Sequence, residues 1–227
     1  MTTRACVFDA YGTLFDFASA ANACADVLGD KTTALTTLWR DKQLQYTWLR
    51  TLQNQYVPFD QVTAEALDFA LTSLAITTAG LRDRLLALYQ ILAPFPEVPS
   101  VLASLKTSGI KTAILSNGSH AMLAPLTNRS GIRESLDLVI SADEVRAFKT
   151  HPSVYQRAVD RLAIPAADIC FFSSNAWDAW AASAFGMRVI WCNRTGAPRE
   201  NLPGHPDAEI HTLQAALKLI ETPSRPQ

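Results

Sequence analysis

Asp9 follows a short apolar run, Ala5 to Phe8, and precedes Ala10, Tyr11, Gly12 and Thr13, so a carboxylate is delivered where the chain turns. Such a carboxylate can act as a covalent nucleophile, although one Asp before a glycine turn also reads as an ordinary turn residue. The later runs change the weighing. The run ending at Leu115 is followed by Ser116, Asn117 and Gly118, and the run ending at Phe172 by Ser173, Ser174, Asn175 and, after Trp177, Asp178. Lys149 stands just before a helix that starts near Pro152. Polar groups after successive strands are how a site, rather than a set of turns, is built. Taken singly, Lys149 reads as a solvated surface lysine, Arg40 as an exposed helix arginine and Asp178 as an acid favoured at a helix N-terminus. Ser116 reads as an N-cap, Phe59 and Trp177 as core aromatics, and Tyr155 as a satisfied buried tyrosine. Taken together they acquire chemistry. A cation near Asp9 keeps its carboxylate ionised, Asp178 can orient or activate water, and Ser116 with nearby amides can clamp a carboxylate. The four histidines show no ligand spacing, and no metal site is expected.

The elements that must position these residues alternate. Buried-strand runs are predicted at Ala5 to Phe8, Thr112 to Leu115, Leu138 to Ile140, Ile169 to Phe172 and Val189 to Trp191. Helical patterns lie between them at roughly 98–108, with Gly109 as a stop, and at 119–128, 152–163 and 177–185. Strands alternating with single helices imply right-handed crossovers and an α/β fold with a parallel, Rossmann-like sheet. About 75 residues separate the first strand from the next core element, and they hold the helical segments TLWRDKQLQYTWLRTLQ and GLRDRLLALYQIL. An inserted helical cap is therefore expected over 17–92, with a return hinge at APFPEVP, a core formed by 1–16 and 93–220, and a polar tail over 221–227. A cap inserted after the first strand sits over the carboxyl ends of the strands, so the site is core plus lid.

Composition narrows the class. Of 227 residues 48% are apolar and 18% charged, the balance of a globular chain. Twenty Lys and Arg against 21 acidic residues leave no field for nucleic acid or anionic lipid, so neither nucleic acid nor membrane is an expected partner. The N-terminus lacks a signal-peptide pattern and no run reaches the ~20 apolar residues of a membrane span, which makes the cytoplasm the expected location. Cys6, Cys24, Cys170 and Cys192 are expected to be buried free thiols.

In that order, DAYGTLFD, LWRDKQLQYTWLR, LSNG, FKTHPSVYQ and SSNAWD resemble the L-2-haloacid dehalogenases of the haloacid dehalogenase superfamily, over nearly the whole chain. Each segment alone is a weak signal; five in one order are specific. The resemblance implies that Asp9 displaces halide from a small 2-haloacid and forms an ester, with Thr13, Arg40, Lys149, Ser173, Asn175 and Asp178 in the catalytic group. It places Tyr11, Arg40, Leu44, Phe59, Ser116, Asn117, Tyr155 and Trp177 around the substrate, needs no cofactor, and implies a homodimer. Ser173 and Asn175 are expected chiefly to hold Lys149 and Asp178. Two alternatives compete with this reading: a magnesium-dependent phosphatase or phosphonatase on the same scaffold, and a silent carboxylate-binding protein. Phosphatases of the superfamily resemble Asp-x-Asp at the first strand, where the second carboxylate protonates an alkoxide; this chain has Tyr11 there.

Overall fold

The computed structural model describes residues 3–221. Its core is a six-stranded sheet in the order β3-β2-β1-β4-β5-β6, with every neighbouring pair parallel. The strands are β1 (Ala5–Phe8), β2 (Lys111–Ser116), β3 (Leu138–Ser141), β4 (Ile169–Ser173), β5 (Arg188–Cys192) and β6 (Ala208–Ile210). All four residues of β1 are buried, as a strand covered on both faces requires. Phe8 stacks on Phe172 with ring centroids 4.8 Å apart, a contact worth roughly 0.5–1.5 kcal/mol beyond its buried area. The first five strands fall where apolar runs predict them, each within a residue or so. β6 was not predicted: it is three residues long and has one buried side chain, so it carries no apolar run.

Ten helices are described: α1 (Ser19–Asn22), α2 (Ala25–Leu28), α3 (Thr32–Leu52), α4 (Phe59–Ser73), α5 (Leu81–Tyr89), α6 (Val98–Thr107), α7 (His120–Arg129), α8 (Pro152–Leu162), α9 (Ala176–Phe185) and α10 (Ala216–Glu221). α6 buries Val98, Val101, Leu102 and Leu105, the stripe its sequence spacing predicts. The first five helices all fall between β1 and α6 and form the inserted helical cap. α4 was missed, although Val62, Ala66, Leu67 and Ala70 are buried at helical spacing. α3 and α4 are joined through polar as well as apolar contacts: the Trp39 indole donates to the Thr63 carbonyl at 2.8 Å, and the Gln43 amide to the Thr63 hydroxyl at 2.7 Å. Glu221 closes α10, and the rest of the expected polar tail lies outside the described residues.

β1 is central and the strand order reverses beside it, so its carboxyl end is the switch point where open parallel sheets bind ligands. The chain leaves that end into the cap along 14–16 and returns along 93–95. There the Asp16 amide donates to the Ala93 carbonyl at 2.9 Å and the Phe95 amide to the Leu14 carbonyl at 3.0 Å. The crossing is a small antiparallel pair.

Candidate active site

Register puts the reactive groups level. Phe8 pairs with Ile114 on one side and Phe172 on the other, so Asp9, Ser116 and Ser173 emerge together at one edge. Gly12 has φ +90° and directs its amide to the Phe15 carbonyl, folding the loop back so that Thr13 returns to Asp9. The Asp9 carboxylate, 5% exposed, is held on both oxygens. Oδ1 accepts from the Lys149 ammonium at 3.0 Å, and Oδ2 from the Thr13 hydroxyl at 3.1 Å and the Asn175 amide at 2.8 Å.

Lys149 corrects its single-residue expectation: it is 1% exposed, and its ammonium is lodged between Asp9 and Asp178, the latter at 2.7 Å. Such burial is tolerable only because both partners are carboxylates. Asp178 sits in the first turn of α9, fully buried, and its other oxygen accepts from the Tyr155 hydroxyl at 2.8 Å. Burial pushes the Asp178 carboxyl up to about 6, with the Asp9 charge acting in the same direction and Lys149 and Tyr155 opposing it. The Tyr155 hydroxyl thus supports Asp178. Burial and the neighbouring Asp178 charge push its phenol well above the usual range, so it stays a neutral donor.

The Asn175 side chain departs from expectation, because it contacts Asp9, while Asp178 is met by the Asn175 backbone carbonyl, which accepts from the Asp178 amide at 3.1 Å. The Asn175 side-chain nitrogen reaches Asp9 and the Tyr11 carbonyl, while the side-chain oxygen accepts from Arg40 at 3.2 Å, the one amide orientation that satisfies all three partners. The Ser173 hydroxyl accepts from the Asn175 backbone amide at 3.2 Å and so holds that loop. Arg40 is half-buried, not exposed. It donates to Gln43 at 2.7 Å and lies 5.1 Å over the Phe17 ring. Gln43 is fixed in turn by Tyr89 of α5, a contributor the sequence reading did not single out.

Tyr11 is buried against Tyr89, centroids 5.5 Å apart, and Phe59, at 5.6 Å. Burial pushes its phenol well up, so it too remains protonated. Among the described residues the Tyr11 hydroxyl and Arg40 Nε are buried without a protein partner. Gly118 makes room for this ring: a Cβ there would meet Tyr11 Cε2 at 2.8 Å and its oxygen at 2.9 Å. Ser116 accepts from the Gly118 amide at 3.0 Å, and the N-cap of α7 is Ser119, so Ser116 is not a helix cap. Asn117 accepts from the Lys149 amide at 2.8 Å and fixes the segment that carries the lysine. Leu44 is half-buried on α3. Trp177 packs edge-to-face on Trp48, centroids 5.7 Å apart, and lines an apolar groove whose walls include Tyr155 but neither Asp9 nor Arg40.

A carboxylate held on both oxygens, beside a buried cation and a second carboxylate near neutral pKa, can attack an electrophilic carbon and then have its ester hydrolysed. No group of three or more His, Cys, Asp or Glu able to hold a metal occurs among the described residues, and the four cysteines are free and buried. No described helix is long and apolar enough to cross a membrane.

Residues 3–186 match the family model of the haloacid dehalogenase-like hydrolases. The chain is 46% identical over 198 residues to (S)-2-haloacid dehalogenase 1 of Pseudomonas sp. (strain CBS-3), covering 87% of each. It superposes with a TM-score of 0.95 on a crystal structure of a dehalogenase with intermediate complex, at 41% identity and covering 98% of this chain and 99% of that one. The L-2-haloacid dehalogenase of Xanthobacter autotrophicus with chloropropionic acid covalently bound matches at a TM-score of 0.89 and 35% identity, over 98% of this chain and all of that one. In sequence and in fold, the chain belongs to the (S)-2-haloacid dehalogenases of the haloacid dehalogenase-like hydrolase family.

Proposed function

We propose that the chain hydrolyses L-2-haloalkanoic acids to D-2-hydroxyalkanoic acids through an ester on Asp9, without a metal ion. The observation that carries this reading is the Lys149 ammonium between Asp9 and Asp178. A magnesium-dependent phosphatase would gather carboxylates around a divalent ion; here a lysine fixed by the fold supplies the charge that balances the pair. Tyr11 offers no second carboxylate to protonate an alkoxide, and halide, a stable anion, needs charge stabilisation but no proton.

An Asp9 oxygen attacks the second carbon opposite the halogen; the carbon–oxygen bond forms as the carbon–halogen bond breaks, inverting that carbon once. Thr13, Asn175 and Lys149 fix the carboxylate plane, so attack needs little reorganisation. Arg40 and the Tyr11 hydroxyl bring buried, unpartnered donors to the departing halide, and a weakly hydrated guanidinium suits a large soft anion. Ser116 accepts the Gly118 amide and keeps its own hydroxyl proton for the substrate carboxylate, beside Asn117. Leu44, Phe59 and Trp177 supply apolar walls that exclude water. Asp178 then takes a proton from the water that attacks the Asp9 ester carbonyl, and returns it to the departing alkoxide as the acyl–oxygen bond breaks.

Residues 17–92 form the cap and 1–16 with 93–220 the core in this proposal. Leu49 and Leu52 of α3 and Phe69 of α4 leave apolar area in solvent, which supports a homodimer; free buried cysteines suit a cytoplasmic protein. The test is halide release from L- and D-2-chloropropionate, alongside phosphate release from a phosphate monoester, with and without EDTA. Turnover of the L-isomer alone, unchanged by EDTA, is expected. Loss on chelation that magnesium restores, or phosphate release, overturns the reading.

A further inference from the structure

Arg194 lies in the loop after β5, remote in sequence from Asp9, and none of the motif segments includes it. Its side chain is 13% exposed and touches both strands of the hinge. One terminal nitrogen donates to the Thr13 carbonyl at 2.8 Å, where the chain leaves the core. The other meets the Glu97 carboxylate at 2.8 Å, where the chain has returned. The guanidinium carbon lies over the Phe95 ring, 3.7 Å from its centroid. Phe95 is itself paired to Leu14 across the hinge.

The loop that carries Arg194 is rigid for reasons of its own. The Asn193 amide donates to the Ile210 carbonyl at 2.7 Å, and the Asn193 side chain closes the turn on Ala197 and bonds Glu209 at 2.6 Å. Burial would raise the Glu97 carboxyl, but backbone hydrogen bonding and then the Arg194 guanidinium outweigh it and hold the group below the usual range, so Glu97 is ionised. The contact made at Thr13 matters because of what else Thr13 does. Its hydroxyl donates to Asp9 and accepts from the Ser174 amide at 2.8 Å.

We propose that Arg194 is a positioning residue that clamps the two strands of the cap–core hinge and, through the Thr13 carbonyl, sets the angle at which Thr13 holds the Asp9 carboxylate. Only a planar fork can reach a carbonyl and a carboxylate while stacking on a ring; a lysine ammonium reaches one of them. This inference rests on the dehalogenase reading for its kinetic readout, because a displacement of about 1 Å at the reacting atoms costs up to about a hundredfold in rate.

The test compares wild type with Arg194→Lys and Arg194→Met on L-2-chloropropionate, with amide hydrogen exchange followed at Asp16 and Phe95. Both variants are expected to lose roughly tenfold or more in kcat with KM changed less than about threefold, and to exchange faster at those hinge amides than elsewhere. Millimolar ethylguanidinium is expected to restore part of the turnover of a third variant, Arg194→Ala. Unchanged kcat in Arg194→Lys, or exchange raised uniformly with a lowered melting temperature, overturns the proposal and leaves Arg194 a general stabiliser. Should wild type release no halide, the dehalogenase reading fails instead, while the exchange measurement still decides whether Arg194 holds the hinge.

Discussion

Lys149→Met removes the cation between two buried carboxylates while nearly keeping its volume. Asp9 and Asp178 each bond the same nitrogen, at 3.0 and 2.7 Å, so nothing separates them once it is gone. The value of about 6 for Asp178 already contains its repulsion from Asp9, so what the variant removes is the attraction of the ammonium, at least about 3 kcal/mol across roughly 4–5 Å at an effective dielectric constant of ~20. That energy moves the upper ionisation of the pair by about 2 pH units. Because Asp178 already stands at about 6, that ionisation moves to about 8, and at pH 7 only about one molecule in ten retains both charges. The mechanism needs both: Asp9 ionised to attack, Asp178 ionised to accept the proton from water. Turnover at pH 7 is expected to fall roughly a thousandfold, about tenfold from protonation and about a hundredfold from lost electrostatic pre-organisation. The assay is chloride release from L-2-chloropropionate between pH 6 and 10, on protein whose circular dichroism matches wild type. Residual activity is expected to recover as the pH rises. A variant within tenfold of wild type, with an unshifted acid limb, refutes the reasoning.

Arg40→Lys keeps the charge but not the fork that reaches Gln43 and Asn175 together, so kcat is expected to fall by more than about tenfold in a steady-state halide assay; near wild-type turnover returns Arg40 to a structural part. Tyr155→Phe removes a donor to the ionised form of Asp178, so the carboxyl rises further above about 6. The base works only when deprotonated, so activity, lost as the pH falls through that value in wild type, is lost at a pH up to about one unit higher in the variant. Rapid quench is expected to find halide released in a burst before slow product formation; an unchanged pH profile sinks the assignment of Asp178 as base.

Much of the fold was legible because five of the strands are short apolar runs and the helices between them carry a stripe at helical spacing. β6 and α4 were not predicted, for different reasons. β6 has one buried side chain, so it leaves no pattern, whereas the pattern of α4 is present but diluted by Thr63, Glu65 and Asp68. At the site, the identity of the reactive residues followed from motifs at strand ends, but their partners did not. The burial of Lys149, the bond of Tyr155 to Asp178 and the bridge from Arg40 through Asn175 to Asp9 join residues up to 166 positions apart. Spacing along a chain carries no information about which of several polar groups at a sheet edge will face one another. Arg194 left no signal at all, since a lone arginine after a strand reads as solvated until its three contacts are seen.

The central claim, that Asp9 becomes an ester whose carbonyl is attacked by water, is tested most directly by one turnover in labelled water. Enzyme in excess is mixed with L-2-chloropropionate in water enriched in oxygen-18, quenched after a single cycle, and the peptide containing Asp9 is weighed by mass spectrometry beside the product. Covalent catalysis predicts one labelled oxygen in Asp9 and an unlabelled hydroxyl on D-lactate, because the product carries away an original Asp9 oxygen. Label in the product and none in the peptide would mean that water attacks the substrate carbon directly, contradicting the account even if halide is released.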